Sequence, residues 1–211
     1  MQMDQITPGD QITPRDQIVR EDRTLSLPNL LTYGRIVAVP ALVACFFMEG
    51  DTANWLAVGI FIAAGVTDFL DGYFARMWAQ HSALGRMLDP IADKLLVSAA
   101  LMMLAANQTI AGWSLWAAVI ILSREILVSG LREFLGELSV GVPVTHLAKY
   151  KTALQMVAIA FLLSHPAGNK VFAYTTLSGL TLLWISALLT LYTGYDYLRA
   201  GLQHAFNTED Y

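Results

Sequence analysis

Residues 68–93 read DFLDGYFARMWAQHSALGRMLDPIAD, which spaces as Asp68-x2-Asp71-Gly72-x2-Ala75-Arg76-x8-Gly85-x3-Asp89-x3-Asp93. Four carboxylates thus stand in a chain that is otherwise membrane-like. An ionisable side chain at membrane depth costs about 2.5 to 3.5 kcal/mol on insertion scales, so such residues are rare and mark functional sites. On helices, Asp68 and Asp71, three apart, project from one face, as do Asp89 and Asp93, four apart. A turn between the two helices brings the pairs together. Crowded carboxylates repel unless cations neutralise them, and hard oxygen donors select Mg²⁺, Mn²⁺ or Ca²⁺ over Zn²⁺. Four Asp are enough for two metals, which would stabilise charge on a phosphoryl or diphosphate group in transit.

The composition agrees with a membrane setting. The 211 residues are 55% hydrophobic and 14% charged, with mean hydropathy +0.50. These values depart from soluble norms toward one integral membrane domain. The formal charge of -4 is small, and Asp4, Asp10, Asp16, Glu21 and Asp22 of the N-terminal tail account for five acids, so net charge carries no argument for nucleic acid. Cys45 is the single cysteine and has no intrachain partner. It reads as a buried, inert thiol. His81, His146 and His165 read as loop residues and His204 as tail, so no histidine cluster supports zinc.

Apolar runs long enough to span a bilayer, about 20 residues each, fall near 29–48, 54–77, 87–106, 111–134, 148–164 and 171–198. The expected fold is an all-α integral membrane bundle of six transmembrane helices. Residues 26–200 form that domain, residues 1–25 a polar tail, disordered or lying along the membrane surface, and residues 201–211 a C-terminal tail. The first tail repeats Asp-Gln-Ile-Thr-Pro at 4–8 and 10–14. It lacks the continuous apolar segment of a signal peptide.

Short loops rich in Lys and Arg stay in the cytoplasm. Arg15, Arg20, Arg23 and Arg35 flank the first run; Arg76, Arg86 and Lys94 the turn between the second and third; Arg124, Arg132, Lys149 and Lys151 the connection between the fourth and fifth; Arg199 follows the sixth. Of thirteen cations only Lys170 falls on the other side. Both termini and the Asp cluster are therefore predicted to face the cytoplasm.

The rest of the motif suits a metal-bound diphosphate. Gly72 has no side chain and Ala75 lies on the same face one turn on, leaving room for a bulky group. Arg76 supplies a fork for phosphate oxygens. Gly85 sits one turn before Asp89, where a side chain would crowd the metals.

At every specified position the motif resembles the signature of the CDP-alcohol phosphotransferase family, membrane enzymes that displace CMP from a CDP-linked lipid or alcohol. Supporting stretches are Leu27-Pro28-Asn29-Leu30-Leu31-Thr32 with Arg35, Ser123-Arg124-Glu125-Ile126 with Leu131-Arg132-Glu133, and Lys149-Tyr150-Lys151-Thr152-Ala153-Leu154-Gln155-Met156. The resemblance covers residues 26–200. It implies that Asp68, Asp71, Asp89 and Asp93 ligate two divalent ions, Mg²⁺ or Mn²⁺, and that Asp93 is also the general base on the acceptor hydroxyl. Gly72, Ala75, Arg76 and Ser82, with Asn29 nearby and Gly85 behind, would line the CDP-lipid site. The implied reaction is transfer of a phosphatidyl group from CDP-diacylglycerol to glycerol 3-phosphate, with release of CMP. A homodimer in the bacterial inner (cytoplasmic) membrane is implied as well.

Acceptor choice should rest with Arg124, Arg132, Lys149 and Lys151, because glycerol 3-phosphate brings a dianionic phosphate. Glu125 and Glu133 are candidate partners for these cations. Positive-inside residues also serve as topology determinants and snorkelling anchors. Other acceptors of the same family, phosphatidylglycerol, an inositol phosphate or serine, remain open. A carboxylate-lined cation transporter is the rival from another class. It would place its ionisable groups near the bilayer midplane on broken helices in paired repeats, not at one interface on two consecutive helices.

Overall fold

The structure, a computed structural model, describes residues 27–78, 83–137 and 146–207. Among the described residues the chain is all-helical: α1 (Leu27–Cys45), α2 (Asp51–Trp78), α3 (Ala83–Ala106), α4 (Ser114–Glu137), α5 (His146–Leu163), α6 (Ala167–Val171) and α7 (Thr175–Asn207). The expected tail of residues 1–25 and Ser82 lie outside the described residues. By length and composition, Ser114–Gly136 of α4 and Thr175–Tyr195 of α7 are long and apolar enough to cross a membrane.

The six long helices coincide with the six apolar runs, except where the last begins. In place of a helix from residue 171, the short α6 ends at Val171 and Phe172 turns extended (φ -138°, ψ 110°), so α7 starts at Thr175. Polar side chains hold that corner. The Thr175 hydroxyl reaches the carbonyls of Phe172 (2.7 Å) and Gly168 (3.0 Å), and Asn169 Oδ1 accepts from the Thr176 amide (3.0 Å). Beyond residue 200, α7 continues to Asn207.

Helix α1 packs against both α2 and α3, the two helices that carry the Asp pairs. The long α7 packs against α5 and α4, while α5 also meets α2 and α3. Small residues make these approaches close, as they do between membrane helices. Ala57, Ala64, Ala92, Ala100, Ala117, Ala158 and Ala187 are all buried, among Leu42, Phe61, Leu96, Leu101, Ile121, Ile159 and Leu183. Gly179 of α7 is tighter still: a Cβ there would lie 2.9 Å from the Leu162 side chain of α5.

Large apolar residues also face outward. Val37, Ile62, Met102, Trp116, Ile126, Leu177 and Leu188 are exposed on the bundle surface. At the end of α2 remote from the Asp motif, Lys170 bonds both oxygens of Asp51 (2.6 Å each), and Asn54 Nδ2 donates to the His165 carbonyl (2.6 Å). Asp51 and Asp68 are seventeen residues apart on that helix, which is about 26 Å at 1.5 Å per residue.

Candidate active site

Helix α1 lays a polar strip against the Asp-bearing helices. Asn29, Thr32 and Arg35 recur every third residue, so they share one face, and their exposures are only 2%, 1% and 1%. Burying a guanidinium is costly unless it is paired and hydrogen-bonded. The Arg35 Nη1 donates to Asp68 Oδ1 in a short ion pair. The first Asp of the motif is thereby fixed by a residue thirty-three positions earlier in the chain.

Asp93, the last Asp of the motif, stands on α3 and interacts electrostatically with Asp68, Arg35, Lys94 and Glu125. The two described carboxylates of the motif therefore share one neighbourhood. Asp71 lies one turn after Asp68 on α2, and Asp89 one turn before Asp93 on α3. The backbone places Gly72, Ala75 and Arg76 on α2, Gly85 on α3 and Lys149 on α5. The side chains of Asp71, Ala75, Arg76, Asp89 and Lys149 lie outside the described residues. Between Asp89 and Asp93, α3 contains Pro90, which has no N–H for the helix ladder.

Beside Asp93 a cavity opens between α3, α4 and α5. Asp93, Lys94, Ser98, Glu125, Thr152 and Gln155 give it a polar wall, and Val97, Leu122 and Met156 an apolar one. Glu125 is the hub of that wall. It accepts from the Lys151 ammonium in a short bond and from Arg124 Nη1 at 3.3 Å, and Lys94 Nζ stands 3.6 Å from its second oxygen. Arg124 also donates to the Thr193 hydroxyl of α7 at 3.4 Å. Gly194 makes room for that arm, since a Cβ there would come within 3.2 Å of Arg124 Cγ.

Three cations thus gather on one carboxylate, Glu125, a local excess of positive charge that suits an anion beside the acidic motif. Of the cations the sequence nominates for an acceptor phosphate, the fold brings Arg124 and Lys151 together. Arg132 is exposed eight residues further along α4, about 12 Å from the level of Arg124. Three participants were hidden in the sequence. Lys94 reads there as a topology determinant, Arg35 as one and as part of the stretch that begins at Leu27, and Gln155 only as part of a similar stretch. A polar side chain within an apolar run is the signal all three share, but the partners of Arg35 and Lys94 lie on other helices.

The sequence matches the family model described as CDP-alcohol phosphatidyltransferase over residues 25–192. It is 45% identical over 175 residues to the CDP-diacylglycerol–glycerol-3-phosphate 3-phosphatidyltransferase of Rickettsia bellii, covering 83% of this chain and 94% of that protein. The protein of the same name from Cereibacter sphaeroides is 40% identical over 213 residues, covering 85% and 96%. A cardiolipin synthase (CMP-forming) from Oryza sativa is 39% identical over 193 residues, covering 84% of this chain and 57% of its own length. With a match that spans most of its length, including α1 to α5 and both Asp pairs, the chain belongs to the CDP-alcohol phosphatidyltransferase family.

Proposed function

We propose that the protein transfers a phosphatidyl group from CDP-diacylglycerol to glycerol 3-phosphate, forming phosphatidylglycerophosphate and CMP. The observation that carries this reading is the cavity beside Asp93, lined by Lys94 and by Glu125, with Arg124 and Lys151 held against that same Glu125. A phosphorylated acceptor needs both features, a base at its hydroxyl and cations at its phosphate. The names of the bacterial relatives support the same acceptor.

In this reading an Asp93 oxygen takes the proton of the acceptor's primary hydroxyl. The alkoxide oxygen bonds to the β-phosphorus of CDP-diacylglycerol, the bond from that phosphorus to the bridging oxygen breaks, and CMP leaves with the electron pair. Asn29, Gly72, Ala75, Arg76, Ser82 and Gly85 form the CDP-lipid site, with Arg124, Lys151 and Lys149 directed at the acceptor phosphate. The donor set suits hard divalent cations, because Asp68 and Asp93 offer carboxylate oxygens in one neighbourhood and Asp71 and Asp89 follow at one-turn spacing. Two ions, Mg²⁺ or Mn²⁺, held by these four Asp would neutralise charge on the diphosphate and the departing CMP.

The reaction joins a lipid to a water-soluble phosphate, so the site belongs at a membrane surface. The outward-facing Val, Ile, Leu and Trp side chains support a bundle whose six long helices all span the bilayer. The Lys and Arg bias supports termini and active site on the cytoplasmic side of a bacterial inner membrane. The assembly is proposed to be a homodimer.

The cardiolipin synthase relative favours a second reading, with phosphatidylglycerol as acceptor. Purified protein in detergent, given CDP-diacylglycerol and Mg²⁺, is offered glycerol 3-phosphate, phosphatidylglycerol, an inositol phosphate or serine separately, and CMP release is measured. Release with glycerol 3-phosphate alone is expected. Release with phosphatidylglycerol alone would transfer the assignment to the second reading.

A further inference from the structure

Lys151 and Gln155 of α5 are four residues apart and share a face, and both are buried, with exposures of 2% and 3%. Their surroundings differ. Glu125 takes the Lys151 ammonium, whereas the Gln155 Oε1 is buried and meets no hydrogen-bond donor among the described residues. The same side chain lines the cavity that holds Asp93, Lys94, Ser98, Glu125 and Thr152.

Buried amides are nearly always satisfied, and an unsatisfied one calls for an explanation. Packing does not supply it. A methionine has similar length and would fill the same space with no polar group to satisfy. The amide is accounted for if its partner arrives with the substrate.

The chemistry of the acceptor names that partner. One hydroxyl of glycerol 3-phosphate is used at Asp93, and the phosphate is drawn to the cations around Glu125. The carbon between them carries a second hydroxyl, which takes no part in bond making. It must be accommodated within the wall that runs between the base and the cations, and Gln155 belongs to that wall. A hydroxyl both donates and accepts, so it satisfies the amide whichever end is presented.

We propose that Gln155 is a specificity-determining residue that hydrogen-bonds the secondary hydroxyl of the acceptor, an inference that rests on glycerol 3-phosphate being the acceptor. A site built to bond a hydroxyl discriminates against the analogue that lacks it, because the protein's own polar group is then left unsatisfied.

The test compares glycerol 3-phosphate with 3-hydroxypropyl phosphate, the same carbon chain without the secondary hydroxyl, by CMP release from CDP-diacylglycerol. The wild-type protein is expected to prefer glycerol 3-phosphate by about tenfold in kcat/KM, the scale of one hydrogen bond. In Gln155→Met the preference should fall to within about twofold, through loss on glycerol 3-phosphate alone, as removal of one hydrogen bond requires. The unfolding temperature in detergent should hold or rise, since a buried unsatisfied amide is gone. A preference retained in Gln155→Met, or equal loss on both acceptors, overturns the proposal. Should Gln155→Met fail to fold, Gln155→Asn, with its amide drawn back by one methylene, is expected to narrow the preference in the same way, and an unchanged ratio there overturns it too. Wild-type protein inactive on glycerol 3-phosphate and active on another acceptor removes the functional reading and this assignment together. Activity on glycerol 3-phosphate with a ratio indifferent to residue 155 removes the assignment alone.

Discussion

Arg35 and Asp68 form an ion pair between α1 and α2 in which the two partners are unequally buried: the guanidinium side chain is 1% exposed and the carboxylate 46%. That asymmetry predicts unequal consequences of removing either one. Arg35→Met leaves a carboxylate that water can reach and an apolar side chain of similar length in the core, a swap that costs within about 1 kcal/mol. Asp68→Asn removes one anion from a buried guanidinium, and the larger loss of the two, more than about 1 kcal/mol, is expected. Thermal unfolding in one detergent ranks the two. Under the proposed function both also lose CMP release, because Arg35 fixes the orientation of Asp68. Full activity in Arg35→Met would remove that positioning role.

Within the acceptor wall, burial and distance separate cations that look equivalent in the sequence. Lys151 is buried against Glu125, whereas Arg132 is exposed on α4. A charge-assisted contact to phosphate is worth roughly twice a neutral hydrogen bond, so Lys151→Met is expected to raise the KM for glycerol 3-phosphate at least about tenfold. Arg132→Ala should change it by no more than about threefold, as for an exposed charge about 12 Å along the helix from Arg124. A steady-state titration of glycerol 3-phosphate checks both. A larger effect at Arg132 would move the phosphate site along α4.

Most of the helical layout was legible because an apolar run has a length and the bilayer sets a length to compare it with. The break before Thr175 was not, since it depends on hydrogen bonds among Gly168, Asn169, Phe172, Thr175 and Thr176 that leave hydropathy unchanged. The Asp pairs were legible for a similar reason: spacings of three and four define a helix face without knowledge of any neighbour. In the sequence Arg35 and Lys94 stand as cytoplasmic charges, because the pattern records only which end of a helix they approach. Their contacts with Asp68 and Glu125 cross from α1 to α2 and from α3 to α4. Such pairings are set by how the helices rotate against one another, which no single segment encodes. The place of Gln155 on the cavity wall depends on the same rotation, so the sequence shows it only as one residue of the Lys149–Met156 stretch.

Two glycines should respond oppositely to alanine. At Gly59 of α2 an added Cβ meets nothing within 4 Å, so Gly59→Ala is expected to stabilise by about 0.5 to 1 kcal/mol through helix propensity. At Gly179 the Cβ would sit 2.9 Å from Leu162, and Gly179→Ala should cost about 1 to 3 kcal/mol by forcing α5 and α7 apart. Detergent melting curves of the two variants test the α5–α7 packing directly. Equal, small effects would mean that the helices slide past the added methyl.

Divalent-ion dependence separates the phosphatidyltransferase reading from the transporter reading. If the four Asp hold ions that neutralise the diphosphate, EDTA should abolish CMP release, and Mg²⁺ or Mn²⁺ should restore it. Asp93→Asn should lose activity by more than the 10²-fold to 10⁴-fold typical of a general base alone, because it removes base and ligand together. Binding distinguishes the two roles. Mn²⁺ titrated into Asp93→Asn and followed by its paramagnetic signal should still bind, more weakly, through Asp68, Asp71 and Asp89, whereas the acceptor hydroxyl has no base. Mn²⁺ binding at wild-type strength together with lost activity would restrict Asp93 to proton transfer. CMP release that continues at full rate in EDTA would separate the Asp motif from metal-assisted transfer altogether.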